Sequence, residues 1–157
     1  MSTLEFFQQV QASPFSKHIG HLNHLFGATL ELAHILGMLL VLSPVVLVGL
    51  RLLNLGLRRA SLPELVRATS KLIWVGLGLL AVSGTLILIP AATSYYPNSF
   101  LWYKFILLGL ALLVHLTLYR AITRSEYPNR LLAGFTSVLA LGLWFGVAFA
   151  GRFIGFF

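Results

Sequence analysis

Four ionisable side chains fall within the hydrophobic stretches of the sequence: Glu31, His34, Lys104 and His115. An ionisable group inside a membrane span is costly, so each of the four is a functional candidate. Carboxylate and imidazole groups bind copper, imidazole is an axial ligand of haem, and histidine exchanges protons near neutral pH. These residue types therefore indicate redox, metal or proton chemistry, and the elements that hold them decide which.

A stripe of possible ligands follows the first hydrophobic stretch. Glu31, His34 and Met38 are three and four residues apart, so they share one side of a helix, and further histidines precede them. Carboxylate, imidazole and thioether groups together suit copper. The stripe predicts a metal site formed from Glu31, His18, His21, His24, His34 and Met38.

His34 is also a candidate axial ligand of haem b, with His115 as an obvious second ligand. The predicted depths of His34 and His115 in the membrane argue against this pair. His34 precedes Arg51 by 17 positions, roughly 25 Å along a helix, whereas His115 precedes Arg120 by only five positions, about 8 Å. A haem on His34 would therefore take its second ligand from His18, His21, His24, Lys104, Met38 or a partner chain.

Glu31, His34 and Met38 also have a purely structural interpretation. Glu31 can form an ion pair with Lys104, which is expected at a similar depth. His34 can then hydrogen-bond a backbone carbonyl, and Met38 can be an ordinary core residue. The sequence leaves the structural and the ligand interpretations open.

His115 is expected to point into the bundle. One interpretation is a hydrogen bond to another helix, at Thr85, at Ser83 or at the carbonyl group that Pro44 frees one turn earlier. The other is a proton relay or a quinone site, since the pKa of histidine is ordinarily close to neutral. Both interpretations place the residue near the inner end of the third span.

The elements that position these residues are membrane spans. Hydrophobic residues make up 58% of the 157 residues and charged ones only 10%, with a mean hydropathy of +0.90, whereas soluble proteins have about 25% charged residues. At about 20 residues per span, the chain has room for four helices. Charged residues divide it into spans at about 25–53, 66–90, 99–120 and 129–152. The prediction is an all-α integral membrane four-helix bundle over 25–157, preceded by an interfacial amphipathic segment at 1–24.

Most basic residues lie in two loops, which predicts the orientation. Eight of the 11 Lys and Arg residues lie in the loops after the first and third spans or at the span ends beside them. The positive-inside rule makes this side cytoplasmic and both termini periplasmic in a bacterial inner membrane. Topology thus accounts for the net charge of +7, and no nucleic-acid partner is expected. The eight residues are Arg51, Arg58, Arg59, Arg67, Lys71, Arg120, Arg124 and Arg130.

Small residues in the last span predict close helix packing. Gly142, Gly146 and Ala150 recur at intervals of four residues, a pattern that lets membrane helices approach each other. This face can pack against another helix of the bundle, another membrane subunit or a second copy of the chain. Besides these partners, the lipid bilayer itself surrounds the spans.

Two short motifs, LELAHILG at 30–37 and GLRLL at 49–53, lie in the first span, and Asn98-x-Phe100-x-x-x-Lys104 opens the third. Together they resemble a family of small bacterial four-helix inner-membrane proteins of unknown function. Residues 28–120 also resemble, more distantly, the membrane domain of CopD-type copper-resistance proteins. The resemblance implies an inner-membrane bundle linked to copper or to haem-dependent redox systems, with His34 and Lys104 at the matching positions.

Three functions are therefore open. The favoured one is a non-catalytic subunit associated with electron transfer, which binds haem b or quinone near the periplasmic face. The alternatives are a cofactor-free structural or assembly subunit and periplasmic-side copper binding or transport. An enzyme acting alone is not expected, because the four acidic residues lie at different depths and form neither a triad nor a carboxylate pair. The predicted cofactor-binding residues are His21, His24, His34, Lys104 and His115.

Overall fold

The computed structural model describes residues 2–57, 59–125 and 129–156, and every regular element in these ranges is helical. Two short helices come first, followed by four long helical segments. The elements are α1 Thr3–Ala12, α2 Pro14–Gly20, α3 His24–Leu52, α4 Leu62–Leu88, a 3-10 turn Ile89–Ala91, α5 Ala92–Tyr95, α6 Ser99–Val114, a π-helical turn His115–Tyr119, α7 Arg120–Arg124 and α8 Arg130–Phe153.

Four segments of the described chain are long and apolar enough to cross a membrane. They contain between 24 and 34 residues, more than the roughly 20 that a span requires, and their mean hydropathy lies between 1.9 and 2.4. The prediction of an all-α protein with four candidate membrane spans is confirmed. The segments are His24–Leu52, Leu62–Tyr95, Ser99–Arg124 and Arg130–Phe153.

The second and third spans are longer than predicted. The second begins at Leu62, because Pro63 occupies the first turn, where its missing N–H leaves no helical hydrogen bond unmade. The third continues to Arg124, because the π-helical turn connects α6 to α7 without a break. Both extensions add polar residues at the ends of the predicted spans.

The long helices pack in the order α4, α3, α8 and α6. Helix α3 lies against both α4 and α8, and α8 lies against α6, whereas the described residues of α4 and α6 make no comparably extensive contact with each other. The core lies between α3 and α8, where Val41, Val45, Val48 and Trp144 are at most 1% exposed. The bundle therefore has an open side between α4 and α6.

Glycines set the closest helix approaches. A Cβ atom on Gly76 of α4 would lie 2.7 Å from the carbonyl oxygen of Gly37 on α3, so these two helices are in backbone contact. On α8, a Cβ on Gly146 would meet a side chain of α6 at 3.3 Å and Ala150 is 7% exposed, whereas nothing lies within 4 Å of a Cβ on Gly142. Of the three small residues in the last span, two thus pack within the bundle and Gly142 faces outward.

The two ends of the bundle differ. We call the end with α1, α2 and the last turn of α8 the terminal end. The opposite one, with the α3–α4 and α7–α8 loops, is the basic end. At the terminal end, Phe7 is buried against Tyr96 and Trp102, at ring-centroid distances of 5.3 and 5.9 Å. Gln11 accepts a hydrogen bond of 2.8 Å from the backbone of Thr93. The predicted interfacial segment therefore packs on the connection between α4 and α6.

Candidate functional site

Three polar side chains from three helices meet in the terminal half of the bundle. Nδ1 of His34 on α3 lies 2.9 Å from Oγ of Ser83 on α4, and Nε2 of His34 lies 3.2 Å from Nζ of Lys104 on α6. Ser83 is 1% exposed, whereas His34 and Lys104 are half-buried. The contact joins α6 to α3 and α4, helices that otherwise leave one side of the bundle open. We call these three residues the His34 centre.

The hydrogen bonds of the centre determine which nitrogen of His34 carries the proton. Oγ of Ser83 donates to the backbone carbonyl of Leu79 at 2.6 Å, so its own proton is already used. Nδ1 of His34 must therefore donate to Ser83, which leaves Nε2 of a neutral ring as the acceptor for an N–H of Lys104. A lone pair and an N–H donor thus lie side by side.

Two glycines make room for the two larger side chains of the centre. A Cβ atom on Gly84 of α4 would lie 3.0 Å from Cε1 of His34, and one on Gly151 of α8 would lie 3.1 Å from Nζ of Lys104. Larger residues would push the imidazole or the amine away. The centre therefore depends on all four long helices. Spacing in the sequence identified His34 and Lys104, but it does not show which glycine each side chain faces.

The rest of the predicted ligand stripe lies apart from the centre. Glu31 is exposed, and the structure pairs Lys104 with His34 in place of Glu31. Met38 packs against the apolar core. Among the residues that the structure describes, no group of three or more His, Asp or Glu side chains could hold a metal ion. The N-terminal members of the stripe are all exposed: His18, His21 and His24.

Both ring nitrogens of His34 are engaged in polar contacts within the described chain. Nδ1 donates to Ser83 and Nε2 accepts from Lys104, so an iron–Nε2 bond would first require the lysine to leave. His115 does not approach His34 but packs against Tyr119 and Trp144. The other three histidines, His18, His21 and His24, are exposed.

His115 belongs to a second polar region, in the basic half of the bundle. Its ring stacks on Tyr119 with centroids 4.6 Å apart, and Trp144 approaches edge-on at 6.4 Å. Nδ1 of His115 is buried with no partner in the described chain. Of the predicted partners, Ser83 belongs to the His34 centre and Thr85 donates to its own helix.

A cleft of about 350 Å³ opens beside the π-helical turn, lined by side chains within 66–74 of α4 and within 115–124. Tyr119 lines it and is only 3% exposed, yet its hydroxyl has no hydrogen-bond partner among the described residues. We call this the Tyr119 cleft. Sequence reasoning missed Tyr119, although its position four residues after His115 was a signal that both lie on one helix face.

Comparison with known proteins gives one match. A family model described as a family of unknown function, DUF6644, matches residues 6–157. No curated protein and no solved structure matches the chain. The expected resemblance to a family of unknown function is confirmed, and the match does not extend to CopD-type proteins.

Proposed function

We propose that this chain, which belongs to the family of unknown function DUF6644, is a membrane-embedded subunit associated with electron transfer that binds a quinol at the His34 centre. The observation that carries the proposal is the 3.2 Å contact between Nε2 of His34 and Nζ of Lys104. Both residues lie in candidate membrane spans. Following the positive-inside rule, we place the centre towards the periplasmic side of a bacterial inner membrane.

Placing the polar side chains of the His34 centre inside the bundle costs free energy, which favours a chemical role for them. Apolar side chains could fill the same space without taking a histidine and a lysine out of water, and replacing buried polar groups by apolar ones is often neutral or stabilising. No acidic side chain in the described chain forms an ion pair with Lys104; its polar contact is the neutral ring of His34. Packing alone therefore does not explain why both residues are present.

The donor and acceptor of the centre complement a hydroxyl group. The O–H of a hydroquinone can donate to Nε2 of His34 while its oxygen accepts from Nζ of Lys104, so two hydrogen bonds replace the one that the chain makes by itself. As one electron passes from the ring to a redox centre of a partner subunit, the hydroxyl proton moves to Nε2. Lys104 then stabilises the oxygen that has lost its proton.

The packing order supports access to the centre from the bilayer. Helices α4 and α6 carry Ser83 and Lys104, and they flank the open side of the bundle. A lipid-soluble ring can therefore approach laterally, in the membrane plane. The terminal end is covered by α1 and α2, with Phe7 packed on Tyr96, so the lateral route is the more open one.

The competing function is a cofactor-free structural or assembly subunit. The observation in its favour is that Ser83, His34 and Lys104 all find hydrogen-bond partners within the chain. Copper handling, which the CopD-type resemblance suggested, would require the exposed histidines of the N-terminal segment to move together. The ligand content of the purified protein distinguishes these functions.

The test is to purify the full chain in mild detergent from bacterial membranes and to extract bound quinone for chromatography with ultraviolet detection. We expect about one quinone per chain, and at least a tenfold lower content in His34→Gln and Lys104→Met. The matched controls His18→Gln and Lys17→Met change the same residue types at exposed positions and should keep the wild-type content. A difference spectrum and metal analysis of the same sample report haem and copper.

The proposal fails if the wild-type protein holds no quinone, or if the variants keep as much as the controls. Because His34→Gln could disturb packing, thermal unfolding of each variant is measured alongside. Lys104→Arg provides a second check, since it retains an N–H donor in a larger group. It should retain more quinone than Lys104→Met, and equal loss in both variants would contradict the role of the donor.

A further inference from the structure

The Tyr119 cleft has the properties of a built binding site. It lies at the basic end between α4 and the segment that joins α6 to α7, and its volume is about 350 Å³. Tyr119 is only 3% exposed, and its hydroxyl has no hydrogen-bond partner within the described chain. Nδ1 of His115, which also lines the cleft, is buried without a partner. Buried polar groups are nearly always hydrogen-bonded, and two of the four described side-chain atoms that are buried without a partner belong to residues of this cleft. An occupant that reaches them would supply the missing hydrogen bonds.

The charge of the cleft indicates an anion. Arg120 and Arg124 line it, both are exposed, and no acidic side chain lies among its described lining residues. Guanidinium groups form paired hydrogen bonds with phosphate oxygens, and a tyrosine hydroxyl donates to the same kind of acceptor. On α4, Arg67 and Lys71 flank the lining residue Ser70 and add to the positive field.

The apolar part of the cleft indicates a membrane amphiphile. Trp74 and Leu116 line the cleft and are 59% and 45% exposed, on segments that are candidate membrane spans. Acyl chains can lie against these side chains while a headgroup reaches the arginines. Trp74 is also well placed as an indole at the boundary between hydrocarbon and headgroups.

We propose that the Tyr119 cleft binds the phosphate of an acidic membrane lipid, held by Arg120 and Arg124 with Tyr119 as the buried donor. This inference is independent of the quinol proposal, because it uses different residues at the opposite end of the bundle. Basic pockets between membrane helices are a recurrent form of lipid-headgroup recognition. The arginine pair decides between lipid classes, since a neutral quinone or a zwitterionic lipid would not gain from two positive charges.

The π-helical turn explains why the site forms at this position. Such turns insert an extra residue into the helical repeat and frequently occur at functional sites. Here the turn lets the rings of His115 and Tyr119 stack at 4.6 Å, with Trp144 behind them, and it holds the tyrosine against the core. The following residue is Arg120, so one local irregularity positions both the buried donor and the first arginine.

The experiment titrates the delipidated full chain in detergent with short-chain phosphatidylglycerol or phosphatidylcholine, and counts bound lipids by native mass spectrometry. We expect one phosphatidylglycerol per chain to bind at least tenfold more tightly than phosphatidylcholine. At about 1 kcal/mol for each basic residue near anionic lipid, Arg120→Gln should weaken binding about fivefold and the double variant with Arg124→Gln about thirtyfold. Tyr119→Phe should weaken binding about tenfold, as a lost hydrogen bond to a charged group.

The matched control is Arg152→Gln, which removes the same charge from an exposed residue at the terminal end and should leave binding unchanged. Equal affinity for the two lipids, or unchanged affinity in the double arginine variant, would overturn the proposal. Inorganic phosphate or a neutral quinone that competes as well as phosphatidylglycerol would also overturn it, because the ligand would then be soluble or uncharged. Tyr119→Phe removes only an unpaired hydroxyl, so it should fold normally.

Discussion

The His34 centre and the Tyr119 cleft both hold ionisable side chains within candidate spans, but they differ in whether their polar atoms find hydrogen-bond partners within the chain. In the centre, His34, Ser83 and Lys104 satisfy one another across three helices. In the cleft, the hydroxyl of Tyr119 and Nδ1 of His115 are buried without partners in the described chain. An unsatisfied buried polar group costs about 1–3 kcal/mol, so a ligand at the cleft gains hydrogen bonds that folding leaves unmade.

The same difference implies two modes of binding. A ligand at the His34 centre must compete with the bond between His34 and Lys104, so it binds only if it offers more hydrogen bonds than it displaces. A quinol hydroxyl meets this condition. A ligand at the cleft meets a preformed receptor, so its affinity depends mainly on complementary charge. Mutations at the centre should therefore affect both folding and quinol binding, whereas mutations at the cleft should mainly affect ligand binding.

The largest expected effect on stability comes from a substitution that crowds the His34 centre. Gly84→Val should lower the free energy of unfolding by about 2–3 kcal/mol, because even its Cβ would lie 3.0 Å from Cε1 of His34 and overpacking typically costs this much. Gly78→Val is the matched control on the same helix, since nothing lies within 4 Å of a Cβ there. Unfolding in mixed detergent micelles, followed by circular dichroism, measures both. Equal losses would show that the space around His34 is not tightly filled.

A second pair of variants compares a satisfied with an unsatisfied hydroxyl. Ser83→Ala should cost about 1–2 kcal/mol, because it leaves the N–H of His34 without an acceptor. In lipid-free protein, Tyr119→Phe should leave the free energy of unfolding unchanged or raise it by up to about 1 kcal/mol, because the hydroxyl that it removes is buried without a partner. The same micelle unfolding measures both. Comparable losses from the two variants would abolish the distinction between the centre and the cleft.

Hydrophobicity and charge along the chain predicted the spans and two members of the centre. A run of apolar residues bounded by charged residues defines a span whatever its neighbours are, so the four helices followed from the sequence. His34 and Lys104 were identifiable because ionisable residues are rare in such runs. Neither prediction depends on how the helices are arranged around each other.

The pairing of polar atoms could not be predicted in the same way, because it depends on helix order and rotation. Glu31 and His34 are three residues apart on one side of α3, and only the packing order shows that the histidine meets Lys104. Ser83 was one of three predicted partners of His115, which lies in the other half of the bundle. Tyr119 was not among the predicted site residues. Its burial results from the π-helical turn, which no local pattern indicated.

A third pair of variants extends the comparison to two neighbouring residues on α8, Thr136 and Ser137, where small changes in the free energy of unfolding are expected. Oγ of Ser137 donates to the carbonyl of Gly49 at 3.1 Å, whereas Oγ1 of Thr136 is buried without a partner in the described chain. Thr136→Val, which keeps the branched shape, should therefore raise the free energy of unfolding by up to about 1 kcal/mol, and Ser137→Ala should lower it by about 0.5–1 kcal/mol. The micelle unfolding assay suffices. If Thr136→Val instead destabilises the protein as much as Ser137→Ala, a water molecule must satisfy Oγ1.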